Sequence, residues 1–591
     1  MSSQTIPALL FETAKRRGER PAYHVKQGGE WRPTSWTTYA EEIKAAGKAL
    51  MALGLKPGGT VSILGFNRPE WVIMDVAAMA VGGAAAGVYT TCSAPEVQYI
   101  VDHAESLVVL VENEHQFEKV QSQRASLPRV EHVVGMKGAE LGDGALSWEE
   151  FMARGQGVSD EEFFARLHAL EPDALATLIY TSGTTGPPKG VMLTHDNLAW
   201  TAQTLNSLIH NGEDDCVLSY LPLSHIAEQM LTIHGPIVAG SSVYFAESLD
   251  KVAENLKEVQ PTLVFGVPRI WEKFHAGVSE KLAAATGLKK SLVEWVRRVA
   301  SRKLEIENRG GKMGPLLALQ YKFASKLVLS KLKPALGLGR ARFCVSGAAP
   351  ISKEVLEFFA SLDILICEVY GQSEDTGPTT INLPGKTRLG TVGGLIPGIE
   401  VKIADDGEIL VRGRNVFKGY FKDPESTRET LVDGWLCSGD LGELKDGFLS
   451  ITGRKKEIII TAGGKNIAPK NIEAALKSSR LVAEAVVIGD RRKYLTALIA
   501  LDEEATRNYL AERGEVDGVP YHQNDMVRAA VQAAVDEVNK ELAQVEQVKK
   551  FTILSRNLTI EHGELTPTLK IKRKVVNSNF AEQIESMYEG A

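Results

Sequence analysis

Tyr180-Thr-Ser-Gly-Thr-Thr-Gly-Pro-Pro-Lys189-Gly190 follows a short apolar run, residues 174–179, and together they read as a buried strand opening into a loop. Residues 182–189 combine three hydroxyls, two glycines and one lysine. Glycines let backbone N–H groups approach and encircle a polyphosphate, hydroxyls add donors, and the lysine supplies a mobile positive charge. A Walker A loop is excluded, because Pro187 and Pro188 precede the lysine and Gly190 follows it.

Outward from this loop, strands alternate with helices. A capped amphipathic helix over 37–53 ends at Gly54 and leads through a Pro-Gly-Gly turn to a strand over 60–65. A helix from Pro69 toward Val81, a strand over 84–89, a helix over 94–103 and a strand over 107–112 repeat the unit. Further strands are expected at 215–221, 241–245 and 261–266. Such alternation predicts a mostly parallel sheet covered on both faces.

With 591 residues the chain exceeds one typical core, so more than one domain is expected. An apolar fraction of 44% and a net charge of -7 describe an ordinary globular protein and give no reason to expect a nucleic-acid partner. The five cysteines are scattered without a Cys-x-x-Cys pair, which fits reduced, mostly buried thiols of a cytoplasmic protein. Neither a secretory signal nor a spanning helix is expected, since no uninterrupted apolar run reaches about 20 residues.

Residues 280–335 break the rhythm with long basic helices, in which Leu292, Trp295, Val296 and Val299 form an apolar stripe among Lys289, Arg297, Arg298, Arg302 and Lys303. This stripe admits two readings, a weak peripheral contact with the inner face of a membrane or a helix packed on the sheet domain, and the packed helix is preferred. After Arg340, short strands and Gly/Asp turns run to about Gly453. Beyond them a strand over 457–460, a helix over 471–478, strands over 482–488 and 495–501, and helices over 503–513 and 524–542 suffice for a small α+β domain.

Several further segments carry chemistry. Tyr370-Gly-Gln-Ser-Glu374 follows a strand over 364–368 and sets an aromatic ring, a turn, a hydroxyl and a carboxylate at a strand end, where open parallel sheets bind ligands. Val345-Ser-Gly-Ala-Ala-Pro350, Trp435-Leu-Cys-Ser-Gly-Asp440, Gly453-Arg-Lys-Lys-Glu457, Gly463-Gly-Lys-Asn-Ile-Ala-Pro469 and Leu565-Thr-Pro-Thr-Leu-Lys570 complete the series. In this order the segments resemble the adenylate-forming superfamily of acyl-CoA synthetases, luciferases and adenylation domains. Leu221-Pro-Leu-Ser-His225 and Val264-Phe-Gly-Val-Pro-Arg-Ile-Trp271, with the helical insertion, resemble long-chain fatty acyl-CoA synthetases in particular.

The resemblance implies an α/β fold: a large N-terminal domain over 1–453 with helix-sandwiched, mostly parallel sheets and a distorted β-barrel subdomain, a hinge at 454–456, and a small mobile α+β domain over 457–591. It implies ligation of a long-chain fatty acid to coenzyme A through an acyl-adenylate, using ATP and Mg²⁺ and releasing AMP and pyrophosphate. A fatty acyl-AMP ligase that loads a carrier protein, and a ligase for medium-chain or other bulky apolar acids, are the alternatives. A catalytically silent fatty-acid or nucleotide-binding protein is a third, disfavoured by the intact set Lys189, Glu374, Asp440, Arg454 and Lys570.

By resemblance, Thr181, Ser182, Gly183, Thr184, Thr185, Gly186 and Lys189 would hold the ATP phosphates. Gly347 and Ala348 would flank adenine with Tyr370, Gly371 and Gln372, and Ser373 would contact phosphate. Glu374 would hold magnesium, Asp440 and Arg454 the ribose, and Lys456 would be the pivot. Gly463, Gly464 and Lys465 would line the coenzyme A channel, and Lys570, with Lys189 and Glu374, would be catalytic. His225, Ile226 and Trp271 would shape the acid pocket. Ser438 stands where Thr is usual and Leu569 where Gly is usual.

Overall fold

A computed structural model describes residues 4–181, 187–283, 286–308, 310–463, 465–515, 518–566 and 570–589. Its strands and helices follow the alternation expected above. Parallel strands Thr60–Leu64, Ala84–Val88, Ser106–Val111, His132–Gly135 and Ala145–Leu146 form most of an eight-stranded sheet. Leu175–Thr181 lies parallel to Ala84–Val88 and then turns back into Lys189–Thr194, with Thr181 opposite Lys189. Gly419–Tyr420 closes this edge antiparallel to Lys189–Thr194. Ala84–Val88 is buried throughout and carries only small residues and one valine, as a strand covered on both faces requires. Helix Pro69–Ala80 is mostly apolar and is buried almost end to end, its two carboxyls, Glu70 and Asp75, included.

A four-stranded sheet pairs Cys216–Ser219, Ser242–Phe245 and Pro21–Gln27 in parallel, with Glu30–Ser35 as an antiparallel edge. The third large sheet begins with parallel strands Leu263–Gly266, Phe343–Ser346 and Ile366–Tyr370. It continues through antiparallel pairings to Phe448–Arg454, Trp435–Lys445, Glu408–Arg412 and Glu400–Ile403. Among the described residues these strands pair as one ten-stranded mixed sheet. The change from parallel to antiparallel pairing is local, since the chain reverses after Tyr370 and Thr380–Ile381 pairs back against Ile366–Tyr370.

Residues beyond Arg454 build cores of their own. Strands Val482–Ile488, Leu495–Leu501 and Val548–Ile553 pack helices Pro469–Leu476 and Asp525–Glu541 against one face. Helices Arg573–Asn579 and Ala581–Tyr588 cover the other face. Arg573 donates to both carboxylate oxygens of the largely buried Glu473, at 2.6 and 2.5 Å, and fastens the last helices to this sheet.

In helix Gly287–Asn308 the stripe of Val296 and Val299, with Leu292 and Trp295, faces inward against Leu317, Ala324 and Leu329. The stripe is packed within the chain, as the packed-helix reading expects. Asp363 anchors the insertion: Lys303, Lys333 and Tyr321 donate to its carboxylate at 3.0, 2.6 and 2.7 Å. Burial alone would raise this carboxyl, but the Lys333 and Lys303 ammoniums and their hydrogen bonds outweigh it and hold its pKa below the ordinary range. Its stabilisation is thus complete above about pH 4 and is lost as pH falls through the lowered value. Asp363→Asn should lower stability by about 3 kcal/mol at neutral pH. Limited proteolysis should then cut first within residues 287–335, and wild type and variant should converge in melting temperature on acidification.

Candidate active site

Two neighbouring parallel strands, Phe343–Ser346 and Ile366–Tyr370, end side by side, and the segments holding Gly347, Ala348 and Tyr370–Glu374 issue from their carboxyl ends. A Cβ on Gly347 would lie 2.5 Å from Val369 Cγ1, so this backbone presses against the adjacent strand. Ala348 adopts φ 67°, an uncommon conformation for a non-glycine residue and one that marks a constrained turn. The turn after Tyr370 is tighter still. A side chain at Gly371 would sit 1.6 Å from the carbonyl oxygen of Gly377, so only glycine fits. The buried carboxylate of Asp375 closes this turn by accepting from the backbone N–H of Gln372 at 2.7 Å and from Thr379 Oγ1 at 2.6 Å. Ser346 Oγ and Gln372 Nε2 are buried beside it and make no hydrogen bond.

Glu374 is gripped from a distant part of the chain. Tyr420 Oη donates to its Oε1 at 2.8 Å, and the Phe417 N–H donates to its carbonyl at 2.8 Å. The Tyr420 ring also underlies Lys189, whose ammonium lies 4.9 Å from the ring centroid. Lys189 further donates to Ser426 Oγ at 2.5 Å and faces Asp423 at 3.7 Å. One tyrosine therefore links the lysine of the glycine-rich loop to the glutamate of the second strand end. Ser182, Gly183, Thr184, Thr185 and Gly186 lie outside the described residues, as does Gly464; Thr181 ends its strand opposite Lys189.

Asp440 and Arg454 are partners across the register of strands Trp435–Lys445 and Phe448–Arg454, with Arg454 Nε 3.3 Å from Asp440 Oδ1. Tyr370 Oη donates to Asp440 Oδ2 at 3.0 Å, which draws the second strand end to this pair. Ser438 Oγ accepts from the Asp440 N–H at 3.1 Å, so the serine keeps the bond that a threonine hydroxyl would make.

Lys570 reaches the same cleft. It remains open to solvent, yet protein surrounds its ammonium on most sides. That crowding, followed by the charges of Arg454 and Lys470, lowers its pKa below the ordinary lysine value, while Glu374 and Asp440 pull the other way. The positive field of Lys570 adds to burial in pushing His225 down to about 4. His225 is thus a neutral imidazole at pH 7. Its Nδ1 accepts from the Ala227 N–H at 3.1 Å, which leaves the ring proton on Nε2, ready to donate to an anion.

Behind His225 lies a carboxyl that sequence reasoning passed over. Glu228 Oε1 accepts from Ser219 Oγ at 2.9 Å, the Tyr220 N–H at 3.1 Å, Thr232 Oγ1 at 2.8 Å and Asn67 Nδ2 at 3.2 Å. Ile226 is fully buried in the main core with Ile233 and Ile237. Trp271 is held just as firmly. Its ring is fully buried against Phe274 and Phe359, and its Nε1 donates to the carbonyls of Gly266 at 3.0 Å and Val345 at 3.2 Å. These bonds fix the ring beneath the strand that leads to Gly347.

Lys456 lies in the turn Lys455–Glu457 between the Asp440/Arg454 sheet and the terminal cores, and is exposed. Gly463 and Lys465 are exposed on a hairpin whose backbone bonds run to Thr461 and Arg492 of the same terminal region. Tyr420, Asp423, Ser426, Asp375 and Glu228 escaped sequence reasoning; among them only Asp423, capping a helix ahead of Pro424, carried a local signal.

Burial raises the Glu228 carboxyl to about 7. A carboxyl raised in the folded state binds more protons folded than unfolded, so it costs stability as pH climbs from its ordinary value toward 7. Glu228→Gln keeps the shape and the accepting oxygen. It should melt with wild type near pH 4.5 and progressively higher than wild type up to pH 8; parallel curves would contradict the assigned shift.

Comparison with known proteins gives a consistent picture. The family model described as AMP-binding enzyme matches residues 10–421, and that described as AMP-binding enzyme C-terminal domain matches 456–591. The chain is 38% identical over 623 residues to the long-chain-fatty-acid–CoA ligase ACSBG2 of Xenopus laevis, covering 99% of this chain and 84% of that protein. It is 37% identical over 595 residues to the long-chain-fatty-acid–CoA ligase FadD15 of Mycobacterium tuberculosis, covering 99% and 97%. In fold it is similar to the adenylation domain of a carboxylate reductase from Mycobacterium chelonae, with a TM-score of 0.74 at 23% identity over 100% and 92% of the two chains. It is likewise similar to an anthranilate CoA ligase in complex with anthranoyl-AMP, with a TM-score of 0.72 at 20% identity over 98% and 97%.

Proposed function

Because the chain belongs to the AMP-binding enzyme family, we propose that it joins a long-chain fatty acid to coenzyme A through an acyl-adenylate, using ATP and magnesium. The observation that carries this reading is the meeting of Lys570, Glu374, Asp440, Arg454 and His225 in one cleft from widely separated segments. The printed names of the relatives support the class of acid. The chain is taken as a large domain over 1–453, a pivot at 454–456 and a small domain over 457–591.

A carboxylate resists attack by a thiol because oxide is a poor leaving group. In the first half-reaction a carboxylate oxygen forms a bond to the α-phosphorus of ATP as the bond to pyrophosphate breaks. Such transfer is achieved mainly by positioning and charge stabilisation. The ammonium of Lys570 faces the carboxylate and α-phosphate, and His225 Nε2–H orients the carboxylate. Lys189, with residues 181–186, holds the departing phosphates, and Asp440 with Arg454 grips the ribose. In the second half-reaction the thiol sulfur bonds to the acyl carbon, its proton leaves to solvent, and AMP departs with the bonding electrons.

Glu374 fits magnesium. It offers one carboxylate oriented by Tyr420, and among the described residues no group of three His, Cys, Asp or Glu side chains could hold a metal ion. Magnesium takes one or two carboxylates and completes its shell with substrate phosphates and water. Bound there, it would neutralise charge on the phosphate oxygens.

Lys570→Ala should reduce pyrophosphate release with ATP and palmitate by at least about a hundredfold, while largely sparing thioester formation from supplied palmitoyl-AMP. Equal loss of both steps would refute the assignment, and failure to form acyl-CoA in favour of carrier-protein loading would refute the thiol acceptor. Since burial and cationic neighbours lower the Lys570 pKa, adenylation kcat/KM should fall on an alkaline limb set below the ordinary lysine range. Lys570→Arg should remove that limb from the accessible pH range.

A further inference from the structure

Of the eleven large apolar side chains exposed among the described residues, five fall between residues 288 and 327. Four of them, Leu316, Leu319, Phe323 and Leu327, follow one another at intervals of three and four along the consecutive helical segments Pro315–Ala324 and Ser325–Leu329. They therefore share one face. Each is half or more exposed, at 70%, 53%, 55% and 50%. An adjoining face, with Leu317, Ala324 and Leu329, is already committed to Val296 and Val299. This rod consequently presents apolar residues on two sides, and only the inner side has a partner in the chain.

The outer stripe is bordered by the exposed lysines Lys312, Lys322, Lys326 and Lys331, and residues 310–335 contain no aspartate or glutamate. A narrow apolar ridge between lysines on a surface-lying helix has the chemistry of a segment that settles into an anionic bilayer surface. Leucine and phenylalanine enter the acyl boundary, and lysines meet lipid phosphates. A protein partner would have to supply an acidic groove around an apolar floor. A bilayer supplies both at once and also dissolves the class of acid proposed above.

We propose that the ridge Leu316–Leu319–Phe323–Leu327 with its flanking lysines is a docking surface for anionic phospholipid membrane. The choice of a lipid occupant rests on the fatty-acid reading, but the test does not use catalysis, so the two can fail separately. Full-length protein is sedimented with vesicles of phosphatidylcholine mixed with phosphatidylglycerol, and with vesicles of phosphatidylcholine alone. Binding should favour the anionic vesicles and weaken with added salt. Replacing lysines in Lys322→Gln and Lys326→Gln should lower vesicle affinity about fivefold per lysine. The triple change Leu319→Ser, Phe323→Ser and Leu327→Ser should abolish binding on both vesicle types. These side chains are exposed, so the melting temperature and pyrophosphate release with a soluble medium-chain acid should stay at wild-type levels. Failure of wild type to bind anionic vesicles, or equal binding by the serine variant, would overturn the proposal. So would a serine variant that loses only a dimer seen by light scattering, which would assign the ridge to a second copy of the chain.

Discussion

Two residues, Gly419 and Tyr420, pair with the strand that carries Lys189, and the cleft depends on that pairing. It is a short antiparallel contact between segments more than 200 residues apart in sequence. It stands the phenol of Tyr420 between Lys189 and Glu374. Asn415 strengthens the join from the same segment, since its side chain donates to the carbonyl of Asp375 and its own carbonyl accepts from Thr376. Glu374 is thus oriented by backbone and side chain together, which suits the magnesium role proposed for it.

The electrostatics of the cleft follow from crowding more than from pairing. Arg454 and Lys470 stand against Glu374 and Asp440 around the point where Lys570 enters, so the charge of Lys570 itself tips the balance toward an anion. His225 is held neutral by the same field and by burial. A neutral donor beside a cation can orient a carboxylate without competing for its charge. Glu228 lies one layer deeper, where hydrogen bonds from four donors fix the segment that bears His225.

Much of this was legible in the sequence where local chemistry decides the outcome. The helix Ala94–His103 and the strands Val482–Ile488 and Leu495–Leu501 fall on their expected bounds, because caps and apolar runs mark their ends. Strand Val548–Ile553 and the two helices after it were not read, since Lys549 and Lys550 interrupt the apolar pattern. The larger omissions concern contacts between distant segments. Nothing around Tyr420 signals that it meets Glu374, and nothing around Asp375 signals that it closes the turn. The anchoring of Trp271 was equally out of reach, since its indole N–H meets the carbonyls of Gly266 and Val345, and the latter lies 74 residues away. The exposed ridge at Leu316–Leu327 was likewise hidden, because periodicity cannot tell which of two apolar faces is turned inward.

Arg454 is the final residue of its strand, and the turn Lys455–Glu457 begins immediately after it. Any rotation at that turn would therefore carry Lys570 away while leaving Arg454 and Asp440 clasped across their sheet. On the proposed reading, the residues assigned to the sugar and the lysine assigned to the reacting groups lie on opposite sides of that turn. A reactive mixed anhydride could stay moored by its nucleoside while the group that made it is exchanged for the one that consumes it, so changing tools need not mean letting go of the work.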